Sequence, residues 1–290
     1  VDRKNFAKHG AVMRVSVVIV TYYAEKFIRA CLDSVFAQSV DDVEVIVVDN
    51  ASGDRTVEIL ENIKERKRFR LIRQRRNTGF TGGVNRGVAA ARGEYIALLN
   101  PDASADPEWL RTLLDCADEP DHARFGIFAS KMINVAEGYR VIDSAGDGCT
   151  LSGKGFKRGE NAPVHQFDCI EEVFGACGGA MFIRRSVMDD IGMFDTDMFL
   201  IHEDTEFCFR ARMKGWKSLY VPAAIVYHRV RSSIGEQSDK AVYFSLRNTD
   251  YLWLKLFPFS LLLRSLPEKI VAEIVVFIYF VLKRRKTVPY

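Results

Sequence analysis

The stretch VEVIVVDNASGD, residues 43–54, decides the fold. Its first half is apolar or β-branched at almost every position, and near-continuous apolarity over so few residues belongs to a strand covered on both faces. The run stops at Asp49 and Asn50, and Ser52, Gly53 and Asp54 form a turn that caps the following helix. A carboxylate at such a strand end can accept hydrogen bonds from a ligand or cap local backbone N–H groups. Taken alone, the motif favours capping. Outward from it the same apolar pattern recurs at 15–20, 69–72, 95–99 and 125–129. Helical periodicity fills the gaps, with Phe27, Cys31, Leu32 and Val35 over 25–38 and Val57, Leu60 and Ile63 over 54–67. The order is βαβα, which predicts an α/β fold with a mostly parallel central sheet, right-handed crossovers and ligands beyond the carboxyl ends of the strands.

The bulk properties set limits. At 290 residues with 48% hydrophobic content, the chain can bury one large core plus an appendage. A net charge of +3 is too small to mark a nucleic-acid binder. Cys31, Cys116, Cys149, Cys169, Cys177 and Cys208 show no metal-ligand spacing and suit a reducing cytosol. Residues 1–12 lack the apolar core of a secretory signal, and Met13 is the expected native start. From about 130 to 175 the pattern dissolves, most of all in SAGDGCTLSGKGFKRGE (144–160), which reads as irregular strands and mobile loops.

After Tyr243 the composition turns apolar, through Tyr251, Leu252, Trp253, Leu254, Leu256, Phe257 and Phe259, and then over 270–282 broken only by Glu273. That last stretch is shorter than the roughly 20 residues needed to span a bilayer, and it ends in Lys283, Arg284, Arg285 and Lys286. A helix lying in the membrane interface is one expectation; a helical hairpin packed on the main domain, or on a dimer partner, is the other. The basic run KERKRFRLIRQRR (64–76) reads mainly as a solvated face, with attraction to anionic lipid as the alternative.

Three further segments carry chemistry. NTGFTGGVNRGVAAARG (77–93) is a glycine-dense turn opening a small-residue helix, where backbone can approach a ligand closely and free N–H groups favour an anion. Tight helix–sheet packing explains its small residues about as well, Gly87 included. LLNPD (98–102) ends an apolar strand at Asn100, and Pro101 stops pairing so that Asp102 sits at the sheet's carboxyl edge, a good place for a ligand of Mg²⁺ or Mn²⁺. FLIHEDTEFCFRARMKGW (199–216) crowds Glu203, Asp204 and Glu206 into one helical turn. The helix dipole alone would stabilise them there, but mutual repulsion should raise at least one pKa and produce a competent base.

With VVIVTYYAEKFIRACLDSV, GACGGAMFIRR (175–185) and VYHRVRSS (226–233) added, the chain resembles the family 2 glycosyltransferases of GT-A fold, and most of all the rhamnosyltransferase-like members, over residues 14–233. The resemblance implies a GT-A catalytic domain at 14–238 followed by a helical segment at 239–290 that associates with membrane or dimerises. It implies nucleotide-sugar contacts by Thr21, Tyr23, Asp49, Gly79, Gly83, Asn100, Asp102 and Arg231, with Asp49 reading the base and the segment around Arg231 closing over the diphosphate as a lid. Asp102 and His228 would ligate Mg²⁺ or Mn²⁺. Asn100 stands where the family's first acidic residue usually does. Asp204 would be the catalytic base, with Glu203, Gly178 and Gly179 at the acceptor. The implied reaction is inverting transfer of a sugar, rhamnose by preference, from a dTDP- or UDP-linked donor to a glycan or lipid-linked glycan, in a protein peripheral to the inner face of the cell membrane. Two other readings are a sugar nucleotidyltransferase, disfavoured because TYYAEKF after the first strand lacks glycine, and a non-catalytic nucleotide-sugar-binding scaffold.

Overall fold

A computed structural model describes residues 13–63, 68–229 and 239–283. The first half alternates as expected: β1 (Val15–Thr21), α1 (Ile28–Phe36), β2 (Val43–Asp49), α2 (Thr56–Glu61), β3 (Phe69–Arg73), α3 (Gly79–Ala90) and β4 (Tyr95–Leu98). The short β5 (Ala103–Ala105), α4 (Trp109–Asp118) and the long β6 (Phe125–Asn134) follow. After these come β7 (Val141–Ser144), β8 (Asp147–Cys149), β9 (Gly155–Lys157), β10 (Glu171–Val173), β11 (Met181–Arg184) and α5 (Arg185–Ile191). The remainder is α6 (Glu203–Met213), β12 (Lys217–His228), α7 (Asp239–Leu256) and α8 (Phe259–Lys283).

The main sheet runs β10-β12-β6-β11-β4-β1-β2-β3, with β5 on β12 and β7 on β6. Along that path β4-β1-β2-β3 and β12-β6 are parallel, while β11 lies antiparallel between β4 and β6. The central sheet is therefore mostly parallel, with helices on both faces. Alternate residues of β1 show why. Val15, Val17 and Ile19 pack with α1 and α4 around Leu32, Trp109 and Leu113, whereas Val18 and Val20 pack with α3, α5 and α6 around Val84, Val187 and Phe207. Every residue of β1 is buried, hence its mostly apolar sequence, and the one polar residue inside it, Ser16, donates to Glu44 Oε1 at 2.7 Å.

Two expectations need correction. The segment 130–175 is more regular than its composition suggests: β6 continues to Asn134, β7 pairs with it, and β8 and β9 form a separate two-stranded sheet. Its glycines serve close approach, since a Cβ on Gly155 would lie 2.4 Å from Thr205 Oγ1. The apolar tail also divides. α7 docks on the domain, with Leu252 and Leu256 against Met198, whereas α8 leaves Ile270, Val271, Ile274, Val275, Phe277 and Ile278 exposed. Among the described residues no helix is long and apolar enough to cross a membrane.

Candidate active site

The carboxyl ends of β1 and β2 lie side by side, with Thr21 in register with Asp49. Thr21 Oγ1 donates to Asp49 Oδ1 at 3.2 Å, and Asp49 Oδ2 accepts from Ser52 N at 3.2 Å. Asp49 is therefore a turn-stabilising carboxylate as well as a candidate ligand group. Tyr23, at φ 55° and half exposed beside this turn, meets Tyr22 edge-on with ring centroids 4.6 Å apart. Gly79 and Gly83 have packing reasons of their own. A Cβ on Gly83 would lie 2.5 Å from Val20 Cγ1, and Gly79, at φ +77°, is held against Phe199.

At the end of β4 the chain turns through Asn100 and Asp102. Asp102 is buried, and its Oδ1 lies 3.3 Å from His228 Nε2 at the end of β12. The other ring nitrogen, Nδ1, is 2.9 Å from Asp143 Oδ2 on β7, whose Oδ1 takes the Lys157 ammonium at 2.6 Å. Burial alone would lower the His228 pKa, but hydrogen bonds to Asp102 and Asp143 outweigh it and hold the imidazole up to about 9. Burial would likewise raise Asp143, but His228 and Lys157 hold it below the usual carboxylate range. A carboxylate and an imidazole facing one another, with the imidazole's far nitrogen fixed by a second carboxylate, are the donors and outer support that divalent-metal sites use. These residues fit a divalent cation, which would take the place of the Nε2 proton.

The third component is the start of β11. Asn100 N donates to Gly179 O at 3.0 Å, and Gly178 N donates to Asp204 Oδ2 at 3.0 Å. The two-glycine turn thus bridges the end of β4 to the first turn of α6. It is tight at its second residue: a Cβ on Gly179 would sit 3.0 Å from Asn100 Nδ2. Asp204 Oδ1 accepts from Thr205 N at 2.7 Å. Beside it, one side-chain atom each of Asp147, Cys177 and Asp204 lie within 4.8 Å of one another. Burial and then the Asp204 charge push Asp147 well above the carboxylate range, and burial likewise keeps the Cys177 thiol protonated.

Crowding at the start of α6 raises one carboxyl, as the sequence predicts, although burial is the larger cause. Glu206 is neutralised by Arg210 at 2.8 Å and Lys255 at 3.1 Å, so it braces α6 against α7. Glu203 is the carboxyl raised within that turn, to about 8, by burial first and the Asp204 charge second; its Oε2 has no hydrogen-bond partner among the described residues. The loop before it is strained. Phe199, Ile201 and His202 have φ of 61°, 69° and 67°, and non-glycine residues there cost about 1–3 kcal/mol each unless the surroundings enforce them.

The structure therefore brings together Asn100, Asp102, Gly178, Gly179, Asp204 and His228 at one sheet edge, with Thr21, Tyr23 and Asp49 at the neighbouring strand ends. Arg231, its proposed lid, part of the basic run (64–67) and residues 284–286 lie outside the described residues. Sequence reasoning missed Asp143, Asp147 and Lys157, which sit in or beside the glycine-rich stretch it read as irregular.

The profile of the family described as Glycosyl transferase family 2 matches residues 16–192, more than half of the chain. An uncharacterized glycosyltransferase of Haemophilus influenzae is 26% identical over 249 residues, covering 82% of this chain and 73% of that protein. The amylovoran biosynthesis glycosyltransferase AmsB of Erwinia amylovora is 26% identical over 247 residues, 80% of this chain and 75% of its own. Four further curated relatives are matched over only 27–31% of their length. Among solved structures, a Pyrobaculum calidifontis mannosyltransferase in complex with GDP-Man and Mn²⁺ aligns with a TM-score of 0.62 at 18% identity, covering 87% of this chain and 68% of that one; it shares the GT-A fold. By its profile match and its sheet, the chain belongs to glycosyl transferase family 2.

Proposed function

We propose that this glycosyltransferase is inverting and metal-dependent, and moves a sugar, rhamnose by preference, from a dTDP- or UDP-linked donor to a hydroxyl of a glycan or lipid-linked glycan in cell-surface polysaccharide synthesis. The observation that carries the reading is the bridge between Asp204 and Asn100 through Gly178 and Gly179, both hydrogen bonds being 3.0 Å long. It sets a candidate base on one side of a narrow turn and the Asp102 strand end on the other. The relative named for amylovoran biosynthesis supports a polysaccharide product, and the neighbour solved with GDP-Man and Mn²⁺ supports a nucleotide-sugar donor and a divalent ion.

In this mechanism Thr21, Tyr23 and Asp49 hold the nucleoside, with Gly79 and Gly83 along it, and the proposed role of Arg231 is to contact the diphosphate. Asp204 accepts the proton of the acceptor hydroxyl while Glu203, Gly178 and Gly179 hold the acceptor. The acceptor oxygen attacks the anomeric carbon, the bond from that carbon to the diphosphate oxygen breaks, and the electron pair leaves with the nucleoside diphosphate, inverting the centre. Asp102 and His228 would hold Mg²⁺ or Mn²⁺, which supplies Lewis-acid stabilisation of the charge on the leaving diphosphate. Residues 14–238 form the catalytic domain and 239–290 a docking segment. The exposed apolar face of α8, followed in sequence by Lys283 to Lys286, supports attachment to the inner face of the cell membrane, with a second copy of the chain as the competing cover.

The test is calorimetric titration with dTDP and UDP, with and without Mn²⁺ or Mg²⁺, on the wild type and Asp102→Ala. Metal-dependent binding that Asp102→Ala loses is the expected result. No binding of either nucleotide under any metal condition would overturn the proposal.

A further inference from the structure

Asp204 and Glu203 follow directly on the strained loop that ends at His202, and nothing within α6 explains how that loop keeps its shape. The explanation lies on α7. Asn248 is fully buried, and its side-chain amide donates to the carbonyls of Met198 at 2.9 Å, Leu200 at 2.9 Å and Ile201 at 2.6 Å. An amide nitrogen carries two hydrogens, so three converging carbonyls share them and each is fixed in direction. Arg247 Nε donates to Asn248 Oδ1 at 2.9 Å, which holds the amide the right way round, and the same guanidinium reaches Met198 O at 3.0 Å. Phe244, one turn earlier on α7, stacks on Phe199 with centroids 5.0 Å apart and planes 12° from parallel. One face of α7 thus holds the loop from one side, while on the other Thr81 N of α3 donates to Phe199 O at 3.3 Å.

We infer that Asn248 is a positioning residue for the transfer reaction. By fixing the backbone from Met198 to Ile201 it sets the start of α6, and with it the direction of the Asp204 carboxylate toward Gly178. The inference rests on the proposed role of Asp204 as base. It also gives the C-terminal helices a catalytic duty. α7 carries α8 through the Trp253–Ser265 hydrogen bond at 2.8 Å and the Lys269–Asp250 ion pair, so whatever grips α8 is mechanically joined to the loop before the base.

The experiment compares Asn248→Ala and Asn248→Asp with Leu252→Ala, which loosens α7 packing but leaves the amide in place. Each is measured for kcat, KM, nucleotide affinity and amide hydrogen exchange over residues 199–206. A carboxylate cannot donate to carbonyls, so Asn248→Asp should fail to rescue. Both Asn248 variants are expected to lose about 100-fold in kcat with nucleotide affinity unchanged, because a base displaced by about 1 Å costs that much. Exchange over 199–206 should quicken at least tenfold while that of β1 and β2 stays put; Leu252→Ala should lower the melting temperature and keep kcat. Unchanged exchange over 199–206 in both Asn248 variants overturns the inference even if the wild type shows no turnover, an outcome that would count against the proposed function instead. Equal loss of kcat in Leu252→Ala would also overturn it, reducing Asn248 to ordinary packing.

Discussion

Asp143 holds the His228 imidazole by its Nδ1 at 2.9 Å, from 85 residues away in the chain, so that Nε2 faces Asp102. Removing the charge while keeping the shape, Asp143→Asn, should weaken Mn²⁺ affinity by about 10–100-fold, the usual effect of losing the group that orients a metal-bound histidine. Titration of Mn²⁺ in the presence of nucleotide measures it. Affinity equal to wild type would mean that His228 is not a ligand.

Asp204→Asn preserves an acceptor for the Gly178 N–H but cannot take a proton. Transfer should fall by at least about 100-fold, while nucleotide binding stays within a factor of two of wild type. Loss of both together would show that Asp204 belongs to the donor site.

Glu203 contributes to the pH dependence of stability. Its folded pKa, about 8, lies above its unfolded value near 4.5, so its contribution to stability is complete below about pH 4.5 and is lost as pH rises through 8. At about 1.4 kcal/mol per pKa unit, the loss is on the order of 3–5 kcal/mol. Glu203→Gln should melt close to wild type at pH 5 and higher than wild type at pH 9. Parallel melting curves for the two proteins across that range would contradict the burial of a titrating carboxyl here.

Gly83→Ala places a Cβ 2.5 Å from Val20 and should cost about 1–3 kcal/mol as overpacking between α3 and β1. Urea denaturation reads it directly. An unchanged midpoint would mean that α3 can move away from the sheet.

Exposed apolar residues on α8 should bind lipid. Wild-type protein is expected to co-sediment with vesicles containing anionic phospholipid, and Val275→Glu with Ile278→Glu should cut the bound fraction roughly tenfold. Equal binding by the double variant, or a salt-independent dimer in place of lipid binding, would reassign the helix.

Much of the sheet was legible because buried strands leave short, mostly apolar runs, and 15–20, 43–48 and 69–72 fall on β1, β2 and β3 despite the interruptions at Ser16, Glu44 and Arg70. Asn100 and Asp102 could be placed because Pro101 ends pairing at a known sheet edge. Asp143, Asp147 and Lys157 could not. They belong to short strands without periodicity, and the partners of Asp143 and Asp147, His228 and Asp204, come from elements 57 or more residues away. The role of Glu206 was open for a related reason: an acidic residue in a first helical turn looks the same whether it faces ligand or, as here, Arg210 one turn along its own helix and Lys255 of α7. Asn248 gave no signal, because an asparagine inside a long helix announces nothing until the carbonyls it meets are known.

β11 runs antiparallel between β4 and β6, so Gly178 and Gly179 arrive at the strand ends in a register fixed by the ladder, Phe182 opposite Ala97 and Phe128. The backbone of the two-glycine turn is thus placed by the sheet's hydrogen bonding, whereas Asp204, across the 3.0 Å contact with Gly178 N, is placed by the loop that α7 holds. Under the proposed mechanism, a change of sugar size would be accommodated on the α6 side of this turn, while the glycine side stays where the ladder puts it.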